Sequence, residues 1–208
     1  MPAESDLGMW PGPPGGLATG AAGDADPWPA WPVLPCPGHA RAGGGAVRLW
    51  LRPPASCDLS RIAAMWERCS LATRMARFHA PVRDIPASYL QAVLSDPSAS
   101  LVAVPGRSGV VVALASLVPG GDSSAELGVL VEDAWQRRGI GRQLVAHLIA
   151  AAPARQITEL TASVLTQNAT AADLLRQVPG EFSLTRHGTT VSVRVRLHPP
   201  AHPLPPGP

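Results

Sequence analysis

The stretch Ala125-Glu126-Leu127-Gly128-Val129-Leu130-Val131-Glu132-Asp133-Ala134-Trp135-Gln136-Arg137-Arg138-Gly139-Ile140-Gly141-Arg142-Gln143-Leu144 decides how this chain folds. It opens as an apolar strand, Ala125 to Val131, and closes as an amphipathic helix. The turn between them is Gln136-Arg137-Arg138-Gly139-Ile140-Gly141. Gly139 and Gly141 carry no Cβ, so a ligand can approach the backbone there. The first turn of a helix leaves N–H groups without intrahelical partners, at the positive end of the helix dipole. Those two features make an anion site suited to phosphate or pyrophosphate. Arg137, Arg138 and Arg142 add positive charge around it.

Two nucleotide-binding motifs fit less well. A dinucleotide fold needs a third glycine where this chain has Leu144. A P-loop needs Lys followed by Ser or Thr, and the sequence contains no lysine.

Outward from this stretch, the chain divides by composition. Residues 1–45 are rich in Pro, Gly and Ala, with Trp10, Trp28 and Trp31 among them, and read as a disordered tail. Residues 198–208 read as a second, Pro-rich tail. Between them, 46–197 reads as one α/β domain. Val47 to Arg52 alternates as a strand. Asp58 is placed to cap a helix carrying Ile62, Met65, Trp66 and Cys69, and Ser70 to cap a second one ending near Phe78. Tyr89 with Val93 and Leu90 with Leu94 suggest a further helical turn. Leu101–Val104 and Val110–Val118 read as a hairpin, and Pro119 to Asp122 as the turn into the central strand. After the glycine turn, Ile140, Leu144, Leu148 and Ala151 form an apolar stripe. Ile157 to Val164 is a strand, a helix starts after Asn168, and two strands flank His187-Gly188.

Together the strand, the turn and the helix resemble motif A of the GNAT superfamily, the acetyl-CoA-dependent N-acetyltransferases. That motif reads Gln/Arg-x-x-Gly-x-Gly/Ala, and Gln136, Gly139 and Gly141 occupy its fixed positions. The predicted order, β-α-α-β-β-β-α-β-α-β-β, is the GNAT order, a mixed central sheet flanked by helices. The resemblance covers about Ala46 to Leu197.

The resemblance implies a site. Acetyl-CoA lies where the fourth and fifth strands splay apart. Val129 and Val131 hold its pantetheine arm through backbone groups. Gln136, Arg137, Arg138, Gly139, Ile140, Gly141 and Arg142 cradle the pyrophosphate. Asn168 matches an Asn that contacts the cofactor arm in many members. Glu126, at the start of the fourth strand, is the candidate catalytic base, its carboxyl raised toward working pH by partial burial. The family's Tyr general acid would fall at Leu175, so that group is missing. His79 and His187 are placed on loops bordering the acceptor. His147 reads as a packing residue. A short likeness around Ser70 to Phe78 to bacterial Pat-type protein acetyltransferases points weakly to a protein lysine acceptor. The implied activity is acetyl transfer to an amine of a small molecule or protein. The alternative is a catalytically silent acetyl-CoA-binding sensor or recruitment module, for which the missing Tyr speaks.

Composition bounds the remaining possibilities. A formal charge of +2 does not call for nucleic acid as a partner. No apolar run approaches the ~20 residues of a membrane span. Three cysteines, Cys36, Cys57 and Cys69, have no metal-ligand spacing and suit a reducing cytoplasm. No metal site is expected.

Overall fold

The computed structural model describes residues 33–35, 48–106, 108–121 and 123–198. Eight strands form one sheet: β1 Val33–Pro35, β2 Arg48–Arg52, β3 Ser100–Pro105, β4 Ala113–Gly121, β5 Ser124–Val131, β6 Glu159–Leu165, β7 Gly180–His187 and β8 Thr190–Leu197. Their order in the sheet is β1-β2-β3-β4-β5-β6-β8-β7. Among the described residues the α-helices are α1 Leu59–Arg68, α2 Leu71–Phe78, α3 Ala87–Ser95, α4 Ile140–Ala151 and α5 Ala169–Arg176. Because Val33–Pro35 takes the first label, the fourth and fifth strands of the predicted order are β5 and β6.

Every strand pair is antiparallel except β5 with β6. That parallel pair needs a crossover, and α4 supplies it. The predicted mixed sheet with flanking helices is the fold observed. The helical turn read from Tyr89 to Leu94 is a full helix, α3. Val33–Pro35, inside the stretch whose composition reads as a tail, pairs with β2 through Val33↔Trp50 and Pro35↔Arg48. The rest of that tail, and all but His198 of the C-terminal one, lie outside the described residues.

Alternation along the central strand sorts the two faces of the sheet. Ala125 and Leu127 point to a core built with Ile140, Leu144, Val145 and Leu148 of α4 and Leu175 of α5. Leu130 points the other way, to Ile62, Met65 and Trp66 of α1 and Val93 of α3. Leu144 and Leu148 are at most 1% exposed, and burial of each contributes about 2 kcal/mol.

Two local readings change. Pro119 to Gly121 does not turn. It continues β4 beside β5, with a register shift between Pro119 and Gly121. Asp58 precedes α1, but its side chain makes no capping bond to that helix. Its carboxylate is wholly buried. It accepts from Arg52 Nη1 at 2.6 Å and Nη2 at 2.8 Å, from Arg61 Nη1 at 3.1 Å and from the Ala55 N–H at 2.8 Å. The sequence signal for a cap and for a buried acceptor is the same short carboxylate. What decided between them was Arg52, at the end of β2, reaching it with a bidentate fork. Ser70 does cap α2, accepting from the Thr73 N–H at 3.2 Å.

Burial pushes the Asp58 carboxyl up, but the bonds from Arg52, Ala55 and Arg61 outweigh it and hold it at about 2. The folded value lies below the ordinary 3.8, so the stabilisation is complete above that value. It is lost as pH falls through the interval from about 4 to 2. Asp58→Ala should therefore lower the urea midpoint at pH 7, a loss of about 2–3 kcal/mol. The gap between variant and wild type should shrink as unfolding is repeated toward pH 2. A pH-independent gap would show that packing, not charge, is what Asp58 supplies.

Candidate functional site

β5 and β6 pair only at their beginnings, through Ser124↔Glu159, Ala125↔Leu160 and Glu126↔Thr161. Beyond Glu126 they part. β5 stays paired with β4 as far as Val131, and β6 stays paired with β8 as far as Leu165. A wedge therefore opens inside the sheet between Leu127–Val131 and Ala162–Leu165. The Glu132 N–H donates to the Val112 carbonyl at 3.0 Å. In an antiparallel ladder that fixes the phase: even-numbered backbone groups of β5 face β4, and odd-numbered ones face the wedge. Leu127, Val129 and Val131 thus turn their N–H and C=O groups into it. The Leu127 N–H belongs to the last bridge, Glu126↔Thr161; past it these groups have no strand partner among the described residues, and all but the Val131 carbonyl are open to a ligand.

That carbonyl accepts from Gln136 Nε2 at 3.0 Å, and the same Nε2 donates to Thr73 Oγ1 at 2.9 Å. Gln136 is therefore a tie within the protein. Asp133 extends the tie, accepting from the Ser70 N–H at 2.8 Å, Ser70 Oγ at 2.7 Å and Thr73 Oγ1 at 2.9 Å. Burial pushes the Asp133 carboxyl up, and the bonds from Ser70 and Thr73 bring it below its ordinary value. The network fastens the N-terminus of α2 to the glycine turn.

Beyond the turn, Gly139 precedes α4 with φ +78°, and a Cβ there would meet nothing within 4 Å. The position needs a left-handed backbone and faces open space. Gly141 lies in the first helical turn, where a Cβ would stand 3.6 Å from Leu174, 3.7 Å from Val129 and 3.9 Å from Val131. A longer side chain there would grow toward the wedge. Arg137 and Arg142 are exposed. Arg138 stacks on Trp135 at 5.0 Å. Ile140 is buried in the core and anchors the helix start. Asn168 uses its Oδ1 to cap α5, accepting from the Ala171 N–H at 3.1 Å.

On the other face, α2 packs against both β5 and β6 and so lies across the split. Glu126 and Gly128 share this face. Gly128 has no side chain because Arg77 occupies the space: a Cβ there would lie 2.7 Å from the Arg77 Cζ. The guanidinium is stacked on Phe78 at 4.8 Å and Tyr89 at 4.6 Å. Its buried Nε has no hydrogen-bond partner among the described residues. Tyr89 Oη lies 3.0 Å from Ser116 Oγ, and Ser116 pairs with Gly128 across the ladder. His79 ends α2 in a left-handed backbone, φ 56°. Its Nε2 is buried without a hydrogen-bond partner among the described residues. Burial, then Arg77, lower the ring's pKa, against opposing effects of Glu126 and a hydrogen bond with the Ser163 backbone on β6.

The structure thus brings Glu126, His79, Arg77 and the wedge together. Nothing ties His187 to them: it is exposed, and its carbonyl accepts from Thr190 Oγ1 at 3.0 Å. His147 Nδ1 lies 2.8 Å from the Gln143 carbonyl, within α4. Leu175 is a core residue. Arg77 and Gly128 were missed by the sequence reading. The signal available was a glycine in the middle of an otherwise apolar strand, which marks a close approach. Among the described residues no cluster of His, Cys, Asp and Glu fits a metal ion, and no helix is long and apolar enough to cross a membrane.

Comparison with known proteins supports this geometry. The model of the acetyltransferase (GNAT) family matches residues 62–178. No curated protein matches the chain. Among solved structures, the GNAT domain of S. lividans PAT is 24% identical, covering 74% of this chain and 92% of that one, with a TM-score of 0.62. A cAMP-binding acyltransferase from Mycobacterium smegmatis is 26% identical at a TM-score of 0.51. That match covers 82% of this chain but only 51% of the acyltransferase, so this chain spans about half its length. The yncA protein of Salmonella typhimurium, solved with its cofactor acetyl-CoA, is 20% identical, covering 74% of this chain and 97% of that one, with a TM-score of 0.53. With more than half its length matched by the family model and the split sheet in place, this chain belongs to the GNAT family of acetyltransferases.

Proposed function

We propose that the protein transfers the acetyl group of acetyl-CoA to an amine of a small molecule or protein, and that its own residues supply both the cradle and the proton chemistry. The observation that carries this is the wedge: unpaired backbone groups of β5 lie beside a glycine-opened helix N-terminus. A thioester arm ending in a pyrophosphate has the matching chemistry. Its amide groups need donors and acceptors in line, and its phosphates need N–H groups at a helix start.

Val129 offers its N–H and C=O to the arm, and Val131 its N–H. Gly139, Ile140 and Gly141 present backbone N–H groups to the pyrophosphate. Arg137, Arg138 and Arg142 raise the local positive potential. Gln136 acts indirectly, by holding the turn against Val131 and Thr73. Asn168 keeps its amide nitrogen for the ligand, since its oxygen caps α5.

Acetyl-CoA supplies an acetyl carbonyl already activated as a thioester. The chain must then remove a proton from the attacking amine. Glu126, half-buried on the α2 face just where the strands part, supplies the negative charge that drives this removal. At the Leu175 position the chain offers no proton donor, and the departing sulfur takes its proton from water. The Ser70–Phe78 likeness to Pat-type enzymes supports a lysine side chain as one acceptor to try.

Two outcomes test the reading. Gly141→Glu extends a carboxylate toward the wedge and the pyrophosphate cradle. It should stay folded and lose affinity for acetyl-CoA at least tenfold by calorimetry, about 1.4 kcal/mol; unchanged affinity would remove the cradle from this turn. Glu126→Gln keeps shape but not charge. It should bind acetyl-CoA as wild type does, yet lose roughly 10²–10⁴-fold in kcat near neutral pH. CoA release measured against lysine peptides, polyamines and amino acids reports both, and a wild-type kcat in Glu126→Gln would place the driving charge elsewhere.

A further inference from the structure

His79 is the residue on this face whose chemistry is not yet used. Three features set it apart from a solvated loop histidine. It sits at the end of α2 in a left-handed backbone, φ 56°, a conformation uncommon outside glycine and asparagine. Its ring feels both the Glu126 carboxylate of β5 and the Ser163 backbone of β6, one from each side of the wedge. Its Nε2 is buried and has no hydrogen-bond partner among the described residues. A buried polar atom left unpaired costs about 1–3 kcal/mol, and such an orphan calls for a partner that arrives with the substrate.

We propose that His79 Nε2 is the atom that takes the proton from the acceptor amine, with Glu126 acting through it. The inference rests on the acetyl-transfer reading and assigns a further catalytic residue within it. As the amine nitrogen forms its bond to the acetyl carbonyl carbon, the N–H proton passes to Nε2. The carbon–sulfur bond breaks, its electron pair leaves on sulfur, and sulfur is protonated by water. The imidazolium then returns its proton to solvent. Glu126 stabilises the charged ring while it lasts. Arg77 opposes that charge, so the ring begins the step neutral and able to accept.

The charged groups that act on the ring are named by position. Arg77 comes from α2 itself and lowers its pKa, burial lowers it further, and Glu126 from β5 raises it. The net is a value below the ordinary 6.5. The accepting, neutral form therefore dominates above that value, and kcat should rise with pH through it and then level.

The test uses the full chain, acetyl-CoA as donor and the same amine panel. His79→Asn suits the left-handed backbone, and His79→Gln tests the same loss with a longer amide. Both should bind acetyl-CoA with wild-type affinity, lose roughly 10²–10⁴-fold in kcat, and lose the acidic limb of the kcat–pH profile. Arg77→Met should move that limb to higher pH in the protein that keeps His79, a shift a purely structural histidine would not produce. Wild-type kcat in either His79 variant, or an acidic limb that survives in both, overturns the proposal. So does a loss of acetyl-CoA affinity that accounts for the whole loss of rate. If the wild-type protein neither binds acetyl-CoA nor releases CoA, the acetyl-transfer reading fails, and this inference falls with it. Turnover by wild type and by both His79 variants alike overturns this inference alone.

Discussion

The structure depends on one interruption, the parting of β5 from β6 after Glu126↔Thr161. A sheet interior normally satisfies every backbone group, and leaving several unpaired costs about 1–3 kcal/mol for each buried one. The chain tolerates the break because both flanking ladders continue past it: β4 holds β5 to Val131, and β8 holds β6 to Leu165. Each half of the sheet is held by its own ladder, and the seam between them is open. The Val131 carbonyl, at the wide end, is closed by Gln136 instead. What remains open is a short run of main chain with a defined spacing, aimed at whatever enters from the glycine turn.

The seam is spanned from one side by α2. Its attachments are at both ends and in the middle. At its start, Ser70 and Thr73 bond to Asp133. At its end, α2 packs on β6, and His79 closes the helix with its N–H donating to the Met75 carbonyl at 2.8 Å. In between, the Arg77 guanidinium lies on the bare backbone of Gly128. A guanidinium stacked on Phe78 and Tyr89 is stabilised by the ring faces. It can approach the strand so closely only because residue 128 has no Cβ. Any larger residue there would push the guanidinium off the strand and out of its place on the rings.

The glycine turn and the helix after it were legible in the sequence because their signal is local: two glycines, an apolar strand before, an apolar stripe after. The mixed sheet followed, since a strand–helix–strand crossover forces a parallel pair. The Ser70 cap was legible for the same reason. Asp58 was not, because its partner Arg52 is on a strand and Asp58 has the same residue type a helix cap would have. Pro119 to Gly121 read as a turn from composition, but edge pairing to Ser124 kept it extended. Gly128 in mid-strand signalled a close approach, but nothing local says that Arg77, fifty-one positions earlier, will fill its space. The His79–Arg77–Glu126 grouping is likewise assembled across the seam from three elements, and no spacing along the chain encodes it.

The two sides of the seam carry different kinds of information, and the difference follows from chemistry. On the α4 side the features are main-chain groups, a helix N-terminus and absent side chains. Almost any sequence that keeps Gly139 and Gly141 presents them, which is why a short motif is enough to find that side. On the α2 side the features are side chains: a carboxylate on β5, an imidazole at a helix end, and a guanidinium wedged on rings. Their effect depends on mutual distance and burial, because the charge of Arg77 and that of Glu126 push the same ring in opposite directions. A change at Arg77 or Glu126 alters the proton affinity of His79 without altering the glycines of the turn. The two sides are joined through β5, whose odd side chains face one and whose even side chains face the other, and through the Gln136 and Asp133 bonds to the start of α2.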